Sequence, residues 1–155
     1  MKHWLLKSEP DTFSIDDLAR APRRTTGWEG VRNYQVRNML RDEFKPGDLG
    51  FFYHSSCPQP GIAGVVRVVR AGLPDASAFD PKSEYHDPKT SRDEPRWFSA
   101  DVQFEKKFEP LITLVELREH AAGALRDMLL LKRGNRLSIT PVTAAEWRFV
   151  NALRR

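Results

Sequence analysis

Between the β-rich runs LGFFYH (49–54) and IAGVVRVVRA (62–71) stands only the loop SSCPQPG, with no helical pattern. That juxtaposition excludes regular strand–helix alternation more firmly than any other feature of the chain. Three further runs read as strands: HWLLK (3–7), RWFSADVQFEKKF (96–108) and NRLSITPV (135–142). Gly64 inside its strand predicts a bulge or a close approach of backbone. Ser14 with Asp17, Thr113 with Glu116 and Thr143 with Glu146 each have capping-box spacing, predicting three short helices. Trp147, Val150 and Leu153 give the last of these its apolar face. Asn33 is a good N-cap for a fourth helix over about 34–42, carrying Val36, Met39 and Leu40 inward. APRRTTGWEG (21–30) reads as loop, and so does the polar, proline-bearing stretch 72–95, which is long enough to be functional or mobile. About five strands with short helices predict a small, mostly antiparallel barrel rather than a doubly wound α/β sheet.

Length and composition fit one soluble domain over residues 1–155, because 40% hydrophobic residues can build a core that a disordered chain lacks. No apolar run reaches the ~20 residues of a membrane span. The only apolar stretch near the start, Trp4–Leu6, is too short for a secretory signal. The single cysteine, Cys57, cannot form an internal disulfide. A cytoplasmic, monomeric protein without membrane contact is the expectation. The net charge of +4 is unevenly placed. Residues 130–155 carry six basic side chains (Lys132, Arg133, Arg136, Arg148, Arg154, Arg155) against Glu146 alone, and the rest is near neutral, with 19 basic and 20 acidic residues. Such a surplus favours phosphate contact without establishing it.

Several chemistries lack their residues. His3, His54, His86 and His120 stand singly, without HExxH or CxxC, so no metal site is expected. Neither glycine-rich phosphate motif is present, and no cofactor is implied. Cys57 and His54 are not oriented by their loop spacing for thiol–imidazole catalysis. Glu9, at a strand end, suits a hydrogen-bond acceptor better than a tuned general acid.

The aromatic residues say more. Trp4, Phe51 and Trp147 fall on core-facing patterns. Trp28, Tyr53, Tyr85 and Trp97 stand in or beside loops among polar neighbours. With Ser8, Asn33, His54 and Ser55 they predict a concave site whose π-faces stack on a planar heterocycle and whose polar groups orient it. TTGWEGVRNYQVRN (25–38) fits this reading. Gly27 and Gly30 permit tight turns, Arg32 offers a guanidinium fork, and a helix starting near Tyr34 presents free N–H groups to an anion.

HWLLKSEPDTFSIDDL, TGWEGVRNYQVRNML, KPGDLGFFYHSS, PGIAGVVRVV, EYHDP, RWFSADVQF and RLSITPV, in this order, resemble the EVE domain family across essentially the whole chain. The resemblance implies an α+β, mainly β fold: a PUA-like pseudo-barrel of about five or six strands with short peripheral α-helices, related to YTH and ASCH domains. It also implies binding of a modified nucleobase in DNA or RNA. Carried over, Ser8 and Glu9 line one side of the pocket and Trp28 forms a wall. Gly30, Val31, Arg32 and Asn33 form the floor, and Tyr53, His54 and Ser55 end the strand that opens onto it. Tyr85 and Trp97 add aromatic surface, and Arg136 and Ser138 close the far side. Cys57 receives no role. The expectation is a non-catalytic reader of a modified base; the alternatives are an enzyme using Glu9 or His54 as acid or base, and a small-molecule sensor.

Overall fold

Trp4, Leu5 and Leu6 are consecutive and all buried, although neighbouring side chains of a strand point to opposite faces. Their strand is therefore covered on both sides. The computed structural model describes residues 1–154. It contains β1 (His3–Ser8), β2 (Thr25–Trp28), β3 (Leu49–His54), β4 (Gly61–Pro74), β5 (Phe98–Thr113) and β6 (Ile139–Val142). Four helices accompany them: α1 (Ile15–Arg20), α2 (Tyr34–Asn38), α3 (Leu114–Arg118) and α4 (Ala144–Ala152). The strands form one mixed sheet in the order β2-β5-β4-β3-β1-β6. Only β1 and β3 pair in parallel; the other four pairings are antiparallel. The expected strand number and short helices are present, and the sheet stays open, with β2 and β6 as its edges.

Strand alternation divides the core into two layers. Trp4 and Leu6 of β1, Phe52 of β3 and Val66 and Val68 of β4 pack with Ile15 and Leu18 of α1 and Val36 of α2. Leu5, Phe51, Tyr53, Ile62 and Val65 point the other way, onto Leu117 of α3 and Val150 of α4. Each such side chain contributes roughly 1.5–3 kcal/mol by leaving water, so the two layers together hold the sheet. Trp4 also donates from Nε1 to Asp48 Oδ2 at 3.0 Å, which gives its one polar atom a partner in the core.

Local signals set the helix starts. Ser14 and Asp17 cap α1 reciprocally, and Thr143 and Glu146 do the same for α4. Thr113 caps α3 through the Glu116 N–H at 3.0 Å, but the box is half made, because the Glu116 carboxylate turns to Arg154 instead. Helix α2 runs into a turn of π-helix over Met39–Glu43, so the helix expected over 34–42 changes hydrogen-bond pattern midway. At Gly64 the β4–β5 register shifts, and a Cβ there would lie 2.3 Å from the Lys106 carbonyl oxygen, the close approach expected of that glycine.

Two expectations need correction. Residues 25–28 are not loop: Thr25–Trp28 pair antiparallel with Gln103–Ala100 of β5, and this distant partner stabilises a segment with weak strand signals of its own. The last strand begins at Ile139 rather than near Asn135, and β4 and β5 run to Pro74 and Thr113, beyond their apolar centres. Just before β2, Arg23 and Arg24 both have left-handed backbone, with φ of 57° and 52°. That conformation costs a non-glycine residue roughly 1–2 kcal/mol. Thr25 Oγ1 and Gln103 Nε2 both donate to the Arg23 carbonyl, at 2.9 and 3.2 Å, and hold the turn in place.

Candidate functional site

A cleft of about 420 Å³ opens where the sheet fails to close. One wall is the edge strand β2, through Thr26, Gly27 and Trp28. The opposite side is Ser138, immediately before the other edge strand, with Lys7 and Ser8 of the neighbouring β1. Glu9, Thr12 and Phe13 close one end, and Glu29–Asn33 with Tyr85 close the other.

Each wall is fixed from behind. Trp28 packs on the first core layer with its ring perpendicular to that of Phe52, centroids 5.7 Å apart. The turn after β1 is tied by Ser8 Oγ donating to the Phe13 carbonyl at 2.6 Å and by Ser55 N–H donating to the Ser8 carbonyl at 2.9 Å. Lys7 N–H donates to the Ser138 carbonyl at 2.9 Å, so the β6 side is fastened to β1 beside the cleft. Burial lowers the Lys7 pKa.

The loop after Trp28 is organised by Asp75, whose side chain is fully buried. Its Oδ2 accepts from Gly30 N–H at 2.8 Å and from Arg32 Nη1 at 3.1 Å, while Oδ1 accepts from Ser77. Burial pushes the Asp75 carboxyl up, but the hydrogen bonds from Ser77, Gly30 and Arg32 outweigh it and hold the pKa below its ordinary value. Arg32 also donates to the Tyr85 carbonyl, and its guanidinium lies 5.5 Å from the Tyr85 ring and 5.2 Å from the Trp97 ring. The fork expected to face a ligand is thus engaged inside the protein, where it fastens the 76–96 loop to the cleft. Glu29, at the same end, has its pKa raised by partial burial and by the Asp75 charge, against the opposing pull of Arg32.

Of the residues singled out from sequence, Ser8, Glu9, Trp28, Gly30, Val31, Arg32, Asn33, Tyr85 and Ser138 line this one cleft. Five do not. Tyr53 alternates to the opposite face of β3 and is buried in the second core layer. His54 lies beyond the cleft, where its Nε2 accepts from Ile15 N–H at 3.0 Å. Ser55 acts through its backbone. Trp97 is buried behind Arg32, stacked on Tyr34 at 4.9 Å and donating to Asp87 at 2.7 Å. Arg136 is exposed outside the lining, two residues before Ser138. At the start of α2, Asn33 Oδ1 accepts from Val36 N–H at 3.0 Å, so one of the N–H groups expected to face an anion is already satisfied. Gly27, singled out with Gly30 for its turn, lines the cleft as well, whereas sequence reasoning missed Lys7, Thr12, Phe13, Thr26 and Glu29 as lining residues. Alternation along β2 would have found Thr26 from Trp28, had that strand been recognised.

Among the described residues no group of three or more metal-ligating side chains occurs, and no helix is long and apolar enough to cross a membrane. The lining offers an aromatic wall, hydroxyls and two carboxylates, a set suited to holding a flat polar ring.

Comparison with known proteins agrees with the quoted motifs: the family model described as "EVE domain" matches residues 2–153. The chain belongs to the EVE domain family. Human thymocyte nuclear protein 1 is 43% identical, over 97% of this chain and 73% of that protein. A crystal structure from Pseudomonas putida is 48% identical and superposes with a TM-score of 0.92, covering 99% of each chain. A second solved structure, human THYN1 in complex with 5-methylcytosine-containing DNA, is 42% identical with a TM-score of 0.92, covering 99% of this EVE domain and 97% of that chain.

Proposed function

We propose that this EVE domain binds nucleic acid carrying a modified base, without catalysis, by accepting that base into the cleft against Trp28. The observation that carries the reading is the cleft itself, in which one half-buried indole faces hydroxyl and carboxylate groups across a space of about 420 Å³. A nucleobase out of its stack needs that combination, a π-surface for its face and polar groups for its edge. The complex of human THYN1 with 5-methylcytosine-containing DNA makes 5-methylcytosine the first base to test.

The non-catalytic part of the reading rests on the two candidate acid–base groups. His54 already uses Nε2 as an acceptor for α1 and does not line the cleft. Glu9 is exposed, and its backbone carbonyl accepts from Thr12 N–H at 3.0 Å and Phe13 N–H at 2.8 Å, which fixes it as part of the turn after β1. Neither is placed as a general acid or base usually is. The cytoplasm, where RNA is abundant, is the compartment in this reading.

Fluorescence titration with 5-methylcytidine and with short DNA and RNA oligomers, methylated and unmethylated, tests it. The methylated probe should bind preferentially, and Trp28→Ala should weaken binding by about 1–3 kcal/mol as the stacking surface is removed. Equal affinity of wild type and Trp28→Ala would overturn the reading. Chemical turnover of the nucleoside would replace it with an enzymatic one.

A further inference from the structure

Two pairs of arginines flank the cleft on its opposite sides. Arg23 and Arg24 precede β2, and from Arg24 to the lining residue Thr26 is two residues, or roughly 7 Å of extended chain. Arg133 and Arg136 precede β6, and Arg136 stands equally near the lining residue Ser138. All four are exposed. Among the described residues none of the four has a carboxylate within 4.0 Å, whereas nearby Arg20 and Lys132 reach Asp17 and Asp127.

The first pair carries an independent signal. Two successive non-glycine residues with positive φ form an unfavourable turn that glycine would relieve. The turn is pinned through the Arg23 carbonyl, and the Arg24 guanidinium is laid 5.6 Å from the Phe104 ring centre. The strained backbone thus presents two cations beside β2. The opposite turn also reverses with positive φ, but at Gly134, between its two arginines. The end of the cleft at Glu9 carries Glu9 and Asp11, both exposed, and would repel a phosphate.

Building on the base-binding reading above, we infer that Arg23 and Arg24 on one side and Arg133 and Arg136 on the other are phosphate contacts, holding a nucleic-acid backbone that crosses the gap between the sheet edges. The backbone follows the arginine axis and avoids the Glu9–Asp11 end, so the base between the two phosphate seats is the one over the cleft. Base and backbone recognition are then carried by separate residues.

The test is a salt series with a short duplex containing one 5-methylcytosine, measured by fluorescence anisotropy, alongside titration with free 5-methylcytidine. The variants are R23Q/R24Q, R133Q/R136Q and the charge-keeping R23K/R24K. Each glutamine pair should make the slope of log affinity against log salt shallower, by about 0.9 for every phosphate that is no longer neutralised. The lysine pair should keep the wild-type slope, and all three should bind the free nucleoside as wild type does. An unchanged slope in both glutamine pairs, or a wild-type slope near zero, overturns the inference. Flattened slopes in a protein that ignores the nucleoside would support the phosphate contacts while removing the base-binding reading. Because the two pairs sit on separate turns, a folding defect in one leaves the other to decide.

Discussion

The ring of Tyr85 lies against Gly30, so closely that a β-carbon on Gly30 would come within 2.6 Å of a ring carbon. Gly30 has φ +80°, which L side chains rarely adopt. Gly30→Ala should therefore cost stability twice, through backbone strain of roughly 1–2 kcal/mol and through displacement of the ring. Tyr85→Ala makes room for the methyl group without relieving the strain. In a double-mutant cycle read by urea denaturation, the pair should be less destabilised than the sum of the singles. Strict additivity would mean that the ring moves aside freely.

Asp75 joins two segments that sequence keeps apart: Gly30 and Arg32 of the loop after β2, and Ser77 of its own turn, all donate to its carboxylate. Asp75→Asn keeps the shape but removes the charge facing Arg32. A loss of roughly 2–4 kcal/mol is expected, together with faster hydrogen exchange at the Gly30 amide. The folded state holds this pKa below its ordinary value. The stabilisation is therefore present above the unfolded carboxylate pKa and disappears as pH falls through the folded one.

His54 carries the opposite charge type. Burial lowers its pKa below the ordinary 6.5, while Asp16 and Asp17 pull it up and Lys107 pushes it down. The unfolded chain then takes up the proton more readily. Stability is full above about pH 6.5 and falls as pH drops toward the folded value. Protonated Nε2 would also lose its bond from Ile15 N–H. His3 is shifted in the same direction, so wild type alone is not diagnostic. His54→Gln keeps an acceptor for Ile15 and should show a smaller loss of stability than wild type between about pH 7.5 and 5.5. Identical pH profiles would exclude His54 as a contributor.

Asp48 is buried and accepts from Lys2 N–H, Lys45 N–H and Trp4 Nε1. Trp4→Phe leaves that carboxylate short of a donor and opens space beside Phe44, whose ring centre lies 4.6 Å from that of Trp4. A loss of about 2–4 kcal/mol is expected by denaturant titration. A much smaller change would mean that water replaces the indole N–H.

What could be read from sequence was local. The boxes of Ser14 with Asp17 and Thr143 with Glu146 involve neighbours three apart, and both formed. The β3 bounds followed from LGFFYH itself. What could not be read depended on remote partners. Strand β2 exists because β5 pairs with it, more than seventy residues later. Arg32 looked free because Asp75 is 43 residues away. Trp97 looked like a loop aromatic, yet it is buried between Tyr34 and the Asp87 hydrogen bond. Trp28, Gly30, Arg32, Asn33 and Tyr85 were recognisable by chemistry, but their common destination was set by that same buried carboxylate.

Because the cleft spans the gap between the two sheet edges, anything held there touches parts of the chain roughly 110 residues apart, from Trp28 to Ser138. A bound ring would act as a removable staple, closing by non-covalent contacts what the backbone leaves unjoined. Occupancy and global folding are then linked by mass action: each tenfold rise in free ligand above its dissociation constant adds about 1.4 kcal/mol to the stability of the whole domain.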